Sequence, residues 1–327
     1  MLNSASARAH TNIALAKYWG KRDEELIIPM NSSLSLTLDH FYTDTQVTFD
    51  DSLTADFFEL DNRILPATKL TPFLDLVRQK AGIKTFATVK SFNHVPNQAG
   101  LASSASAYAA LAAAASKAAG LELTRPELSR LARRGSGSAS RSIYGGFVEW
   151  QEGHDDLTSV AVPIEEETDW KIGMLAIILN AGVKKIASRA GMQHVVKTSP
   201  YYPAWVKESQ ADINALKQAI ANRDFTQLGE ISESNALRMH ALNLAARPPF
   251  SYFEASTIRA ITMIEELRAQ GVSCYYTMDA GPNVKVLCQE EDLPTIKAYL
   301  APAFGTENLL FARPGQGVKF LEGDLHG

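Results

Sequence analysis

Apolar residues recur along this chain with two different spacings, and the change from one to the other divides it. In the first half, β-branched and aromatic runs at 45–49 and 85–92 alternate with polar positions, as half-buried strands do. Apolar positions three and four apart predict helices over 71–81, 104–119 and 125–134, the last opening with Pro126 in its first turn. Strands follow at 147–151 and 172–180. Beyond Gly182 the pattern lengthens, and 202–222, 225–239 and 253–270 read as long amphipathic helices, the third ended by Gly271. Strands at 274–278 and 284–288 flank a turn at 279–283, and a helix at 293–300 and a strand at 309–312 close the pattern. Strands and helices without strict alternation predict an α+β fold, divided near residue 182 into units 1–182 and 183–327.

Composition narrows the classes. The 327 residues suffice for one large domain or two medium ones, and 46% hydrophobic with 21% charged residues is an ordinary globular balance. With 32 basic against 36 acidic residues the net charge is −4, so no basic surface points to nucleic acid. Arg130, Arg133 and Arg134 read as a solvated helix face. Cys274 and Cys288 are the only cysteines, which excludes a disulfide framework or a CxxC metal site and fits a reducing cytoplasm. No apolar signal region opens the chain, and the longest apolar stretch, 173–181, is far too short to span a bilayer. No membrane partner is expected.

Candidate chemistry concentrates in a few segments. Pro96-Asn97-Gln98-Ala99-Gly100-Leu101-Ala102-Ser103-Ser104-Ala105-Ser106 joins a turn to small residues and then to an Ala-rich helix. Unpaired N–H groups and the positive end of the helix dipole make such a junction a phosphate site, with serine hydroxyls for phosphate or magnesium. A Ser-capped helix packed in the core gives the same pattern. The run is neither GxxxxGK[ST] nor GxGxxG. Near the N-terminus, Lys17-Tyr18-Trp19-Gly20-Lys21-Arg22-Asp23 offers cations for an anionic ligand, or simply a surface loop around a buried Trp19. Gly135-Ser136-Gly137-Ser138-Ala139-Ser140-Arg141-Ser142 reads as a flexible, donor-rich turn with an arginine fork suited to carboxylate or phosphate. Lys184-Lys185-Ile186-Ala187-Ser188-Arg189-Ala190-Gly191-Met192 adds cations and a hydroxyl, and Asp279-Ala280-Gly281-Pro282-Asn283 sets one carboxylate beside a turn.

The serine loop resembles that of the galactokinase, homoserine kinase, mevalonate kinase and phosphomevalonate kinase superfamily, with Ala102 in place of its second glycine. Joined to KYWGKRD, Asn31-Ser32-Ser33-Leu34-Ser35, GSGSA with Arg141, and DAGPN, it resembles the mevalonate diphosphate decarboxylase family over nearly the whole chain. Gln98 and Ser140 depart from the family's usual small residue and cysteine without removing a donor.

This resemblance implies ATP-dependent decarboxylation of (R)-5-diphosphomevalonate, with ATP and Mg2+, in a cytoplasmic homodimer. It implies a two-lobed small-molecule kinase fold, with a ribosomal-protein-like N-terminal lobe and a ferredoxin-like C-terminal lobe. Asp279 is then expected at the C3 hydroxyl and Arg141 at the substrate carboxylate. Tyr18, Trp19, Gly20, Lys21, Ser136, Gly137, Ser138, Ala139, Ser140, Ser188, Arg189 and Met192 line the rest of the substrate, with Arg63 at its diphosphate. Ser91, Asn93, Gly100, Leu101, Ala102, Ser103, Ser104 and Ser106 take the nucleotide, with Ser106 at the magnesium ion and Lys184 at the γ-phosphate. The competing readings are a kinase that stops at the phosphorylated intermediate, a decarboxylase of the monophosphate, and a catalytically silent nucleotide sensor. Release of carbon dioxide separates the first from the family's reaction. Retention of Asp279 and Arg141 argues against the last.

Overall fold

Two long strands organise the molecule, in a computed structural model that describes residues 3–94, 103–180, 186–323 and 325. β1 (Asn3–Ala16) and β4 (Ser33–Phe49) pair antiparallel, with the small hairpin of β2 (Lys21–Asp23) and β3 (Ile28–Pro29) between them in sequence. β5 (Phe57–Leu60), β6 (Arg63–Leu65), α1 (Thr71–Ala81), β7 (Ala87–His94), α2 (Ser103–Ala118), α3 (Arg125–Gly135), β8 (Phe147–Trp150) and β9 (Ala161–Glu165) come next. The chain then forms β10 (Ile172–Ile177), α4 (Ser188–Thr198), α5 (Tyr202–Asn222), α6 (Phe225–Ala245) and α7 (Ala255–Ala269). It ends in β11 (Cys274–Met278), β12 (Val284–Gln289), α8 (Leu293–Phe304), β13 (Leu309–Ala312) and β14 (Lys319–Leu321).

One sheet runs β14-β1-β4-β7-β5-β6, with β8 joined to the front of β4 and β9 to β8. A second sheet runs β11-β12-β10-β13. β10 already belongs to the second sheet, so the passage between sheets falls at 166–171, ahead of the expected division at 182, and β14 returns to the first.

An irregularity in the pairing of β1 with β4 decides which of its side chains reach the core and which reach a cleft. Register shifts between His10 and Asn12, where Thr11 alone stands against residues 38–41 of β4, and the alternation along β1 moves onto the other face. Ala7 and Ala9 therefore pack with the helix α2, whereas Ile13 and Leu15, of the same parity, pack against α5 and β10. Asn12 and Ala14 are left facing a cavity. α2 is apolar all round because it is covered all round: Ala109, Ala110 and Ala112–Ala115 have no exposure, and methyl side chains let the helix lie close on β1 and β4.

Three expectations change. Residues 137–143, expected as a flexible turn, form a buried 3₁₀ helix, Gly137–Ile143, running on from α3. A Cβ on Gly137 would sit 2.8 Å from the Trp150 ring and 2.9 Å from that of Tyr18, so the glycine serves packing. Ser188–Thr198, part of a stretch to which the sequence reading assigns no element, is the helix α4. Arg133, read as solvated, is wholly buried, donating to the backbone of Leu26 and Ser159 and pairing with Asp156.

Candidate active site

A cavity of about 810 Å³ opens where the second half of β1, the 17–21 loop, the 3₁₀ helix, α4 and the 279–280 turn converge. Its walls include Tyr18, Trp19, Lys21, Ser136, Gly137, Ser138, Arg141, Ser188, Arg189, Met192 and Asp279, which the sequence scatters over some 260 positions. The 17–21 loop is fixed from behind. The Lys17 N–H donates to Asn235 Oδ1 at 2.8 Å, Trp19 Nε1 to Asn243 Oδ1 at 3.1 Å, and the Tyr202 hydroxyl to Trp19 O at 2.8 Å. Gly20 has φ +142° and a Cβ there would meet Tyr202 Oη at 1.8 Å. Its lack of a side chain thus admits Tyr202, not a ligand. Ala139 and Ser140 are buried behind the wall, Ser140 donating to Gly137 O.

At one end stands Asp279, held between two buried lysines. Its Oδ1 accepts from Lys17 Nζ at 2.8 Å, and Oδ2 lies 3.1 Å from Lys285 Nζ. The second contact is a charge pair without an aligned hydrogen bond, and the buried Oδ2 accepts no hydrogen bond among the described residues. Burial would raise the Asp279 carboxyl, but Lys17 and Lys285 outweigh it and hold it far below the usual carboxylate range. Burial brings Lys17 down to about 8 against the pull of Asp279. The sequence assigns neither lysine a role in the chemistry.

Arg141 lies nearby, also buried and without a carboxylate partner. Its Nε donates to Asn12 Oδ1 at 3.2 Å and Ser35 Oγ at 3.0 Å, and Nη1 donates to Ser33 Oγ. Asn12 is oriented in turn by donating to Ser138 O and Ser142 Oγ. No residue among those described accepts from Nη2. Desolvation lowers the guanidinium to about 10, which leaves it charged at neutral pH. A buried cation with an open edge suits a ligand carboxylate.

A row of hydroxyls leads from here to the start of α2: Ser138 to Ser136 at 3.4 Å, and Ser136 to Ser104 at 3.3 Å. Ser104 also lines a second, smaller cavity of about 190 Å³, whose walls include Ser91, Asn93 and Ser103 among apolar residues. Ser106 is turned away. It has no exposure and bonds Thr43 Oγ1 at 2.8 Å, Thr11 Oγ1 at 3.3 Å and Ser103 O at 3.2 Å. Ser106→Ala is therefore expected to lower stability by roughly 1–3 kcal/mol, the cost of orphaned buried partners, with turnover close to parental. Denaturant melts run beside activity assays check this. Gly100, Leu101, Ala102 and Lys184 lie outside the described residues.

The opposite end of the main cavity is cationic. Lys21, Lys69, Arg134 and Arg189 line it, and the buried Tyr18 hydroxyl there has no partner among the described residues. Glu24 pairs with Lys21 at 2.7 Å and sits in the field of Arg189, which together keep its carboxyl below the ordinary range although desolvation opposes them. Arg63, the expected diphosphate contact, is exposed on β6 and absent from the wall, while Lys69, six residues on, is part of it. Among the described residues, no three His, Cys, Asp or Glu could hold a metal together. Among them, too, no helix is long and apolar enough to cross a membrane.

Residues 9–161 match the diphosphomevalonate decarboxylase-like N-terminal domain, and 174–316 match the mevalonate 5-diphosphate decarboxylase C-terminal domain. The diphosphomevalonate decarboxylase of Bos taurus is 35% identical over 96% of this chain and 82% of its own length, and that of Homo sapiens 34% over 98% and 84%. Among solved structures, mevalonate diphosphate decarboxylase from Staphylococcus aureus is 47% identical with a TM-score of 0.95, over 98% of this chain and 99% of that one. A complex of MDDEF with MVAPP, AMPPCP and magnesium is 49% identical with a TM-score of 0.95, over 99% and 100%.

Proposed function

The chain belongs to the diphosphomevalonate decarboxylase family, and from that premise we propose how its cleft performs the reaction. It catalyses the ATP-dependent decarboxylation of (R)-5-diphosphomevalonate to isopentenyl diphosphate, carbon dioxide, ADP and phosphate, with magnesium as cofactor. The observation that carries the residue assignment is the presence in one cavity of an ionised Asp279 and of Arg141, a buried cation with no carboxylate partner.

In this reading the C3 hydroxyl donates to the Asp279 carboxylate, and the substrate carboxylate takes the open edge of Arg141. The hydroxyl oxygen attacks the γ-phosphorus of ATP, and ADP leaves. The C3–O bond to the new phosphate then breaks, and its electron demand draws the pair from the bond to the carboxylate, which departs as carbon dioxide. A carbon–carbon double bond and free phosphate remain. Asp279 orients the hydroxyl and accepts its proton as the oxygen–phosphorus bond forms, and the proton then passes to the phosphate that is released. Alignment by two fixed groups is where we place most of the acceleration. The diphosphate lies at the Lys21, Lys69 and Arg189 end, with Tyr18 donating.

The nucleotide runs from the smaller cavity, between Ser91, Asn93 and Ser103, to the start of α2. The Ser103 and Ser104 side chains, at a helix start bordering that cavity, fit a magnesium ion held chiefly by nucleotide phosphates, since among the described residues no protein carboxylate cluster competes for it. When bound, the ion neutralises phosphoryl charge. Lys184 keeps its assignment to the γ-phosphate. We assign the sheet of β1, β4–β9 and β14 to the ribosomal-protein-like lobe and the sheet of β10–β13 to the ferredoxin-like lobe. A cytoplasmic homodimer is the proposed setting; Cys274 and Cys288, opposed across β11 and β12 yet both free, support a reducing compartment.

A coupled assay with ATP and 5-diphosphomevalonate, scored for isopentenyl diphosphate and carbon dioxide, tests the reaction. ADP release without carbon dioxide would leave a kinase instead. Glu24 gives a second test. It occupies the charge of Lys21 that the diphosphate needs, so Glu24→Gln is expected to lower KM about two- to fivefold, the equivalent of a half-exposed pair of ~0.2–1 kcal/mol, with kcat unchanged. A raised KM would make Glu24 a binding residue, not a competitor.

A further inference from the structure

We propose that Lys285 is a positioning residue for the decarboxylation, holding Asp279 from the side opposite Lys17 and setting how firmly Lys17 keeps its proton. The inference rests on the residue assignment above but adds a group outside it. Lys285 lies on β12 between Val284 and Val286, in a strand whose other residues are apolar until Gln289. Its side chain is 2% exposed, a costly place for an ammonium unless a charge answers it. Asp279 Oδ2 answers it at 3.1 Å, on the oxygen that Lys17 does not use. The Lys285 ammonium is otherwise held by Asn283 O at 3.4 Å, so its place is fixed by the same turn that carries Asp279.

Two cations on one carboxylate have two consequences. The carboxylate cannot swing freely, because a partial rotation about its Cβ–Cγ bond would carry both oxygens away from the ammonium each one faces in a buried site. Its orientation at the cavity wall is thereby fixed. The cations also repel each other, and the charge of Lys285 makes Lys17 easier to deprotonate. The groups facing this cluster are Lys17 from the end of β1, Lys285 from β12, Arg141 from the 3₁₀ helix and His240 from α6. Burial lowers His240 to about 3, so it is neutral and adds no charge. Lys17 is brought down to about 8, within the range of an ordinary pH–rate profile. Activity that needs the charged Lys17–Asp279 pair is lost as pH rises through that value. Removing Lys285 takes away a repelling charge and leaves Asp279 to Lys17 alone, which raises the Lys17 value.

The experiment is a pH–rate profile of kcat at saturating ATP, magnesium and 5-diphosphomevalonate for the parent, Lys285→Met and Lys285→Arg. For Lys285→Met the alkaline limb is expected about one pH unit higher, the size of shift a neighbouring like charge produces. Its kcat below the limb should fall about tenfold while KM stays within about twofold, the pattern of a lost alignment in the reacting complex. Lys285→Arg should return the limb towards the parent. A folded Lys285→Met with parental kcat and an unmoved limb overturns the proposal, as does an arginine variant no closer to the parent than methionine. Should Lys285→Met not fold, Lys285→Gln, which keeps a polar group beside Asp279, carries the same comparison of limbs. A parent enzyme that released no carbon dioxide would instead strike the underlying functional reading, so the two failures are distinct.

Discussion

Asp279→Asn is expected to cut kcat by at least ~10²-fold, the low end for losing a proton acceptor, while ATP and 5-diphosphomevalonate still bind. The substitution keeps the shape of the side chain and its place at the 279–280 turn. It removes the charge that Lys17 and Lys285 share and the oxygen lone pairs aimed at the C3 hydroxyl. An amide nitrogen facing that hydroxyl offers a donor where an acceptor is required. Breaking a buried pair costs about 3–5 kcal/mol when the partner charge stays, but Lys17, already near 8, relieves part of this by losing its proton. The variant should therefore melt lower yet remain folded at assay temperature. Steady-state kinetics with calorimetric binding of both ligands decide the matter. Turnover within about threefold of parent, on folded protein, would remove Asp279 from the chemistry.

Much of this site was legible because its segments are short and chemically dense. KYWGKRD, GSGSASR and DAGPN each put cations, hydroxyls or a lone carboxylate next to glycine, and the fold brings all three to one cavity. What was not legible depends on distance or on phase. Lys17 meets Asp279 across 262 positions, a separation no local pattern encodes. Lys285 did carry a signal, since a lysine inside VKVLC is out of place in a buried strand unless paired. Ser106 could have been separated from Ser104 by helical phase, because it shares a face with Ala109, Ala110 and Ala113, all buried. The fold shows the same division. The helices α5 to α7 and the hairpin of β11 and β12 obey ordinary periodicity. β1 does not: it is built largely of Ala, Ser and Asn, which carry little strand preference, and its register shift breaks the alternation that would have revealed it.

Arg141→Lys is expected to lower kcat by about 10²-fold, the scale of a small misplacement of reacting groups, with a lesser effect on KM. The reason lies in how the guanidinium is held. Asn12 and Ser35 take Nε, Ser33 takes Nη1, and Asn12 is itself fixed by Ser138 and Ser142. A lysine keeps the charge but is a point donor, unable to meet acceptors in those directions and still present an edge to a carboxylate. The charge by itself cannot be what accelerates decarboxylation. A cation stabilises the carboxylate that must leave as neutral carbon dioxide, so uniform attraction opposes the final step. Arg141 helps only through direction, by holding the carboxylate so that the bond to be broken lies in line with the departing phosphate. Direction is what lysine loses, and kcat should report it even where binding survives. Arg141→Met, which strips both charge and direction, should fall further and lose stability by roughly 1–3 kcal/mol through the acceptors it orphans. Parallel measurement of ADP and carbon dioxide locates the defect. An Arg141→Lys enzyme within about threefold of parental kcat would show that charge alone suffices, and alignment would have to be sought elsewhere in the cavity.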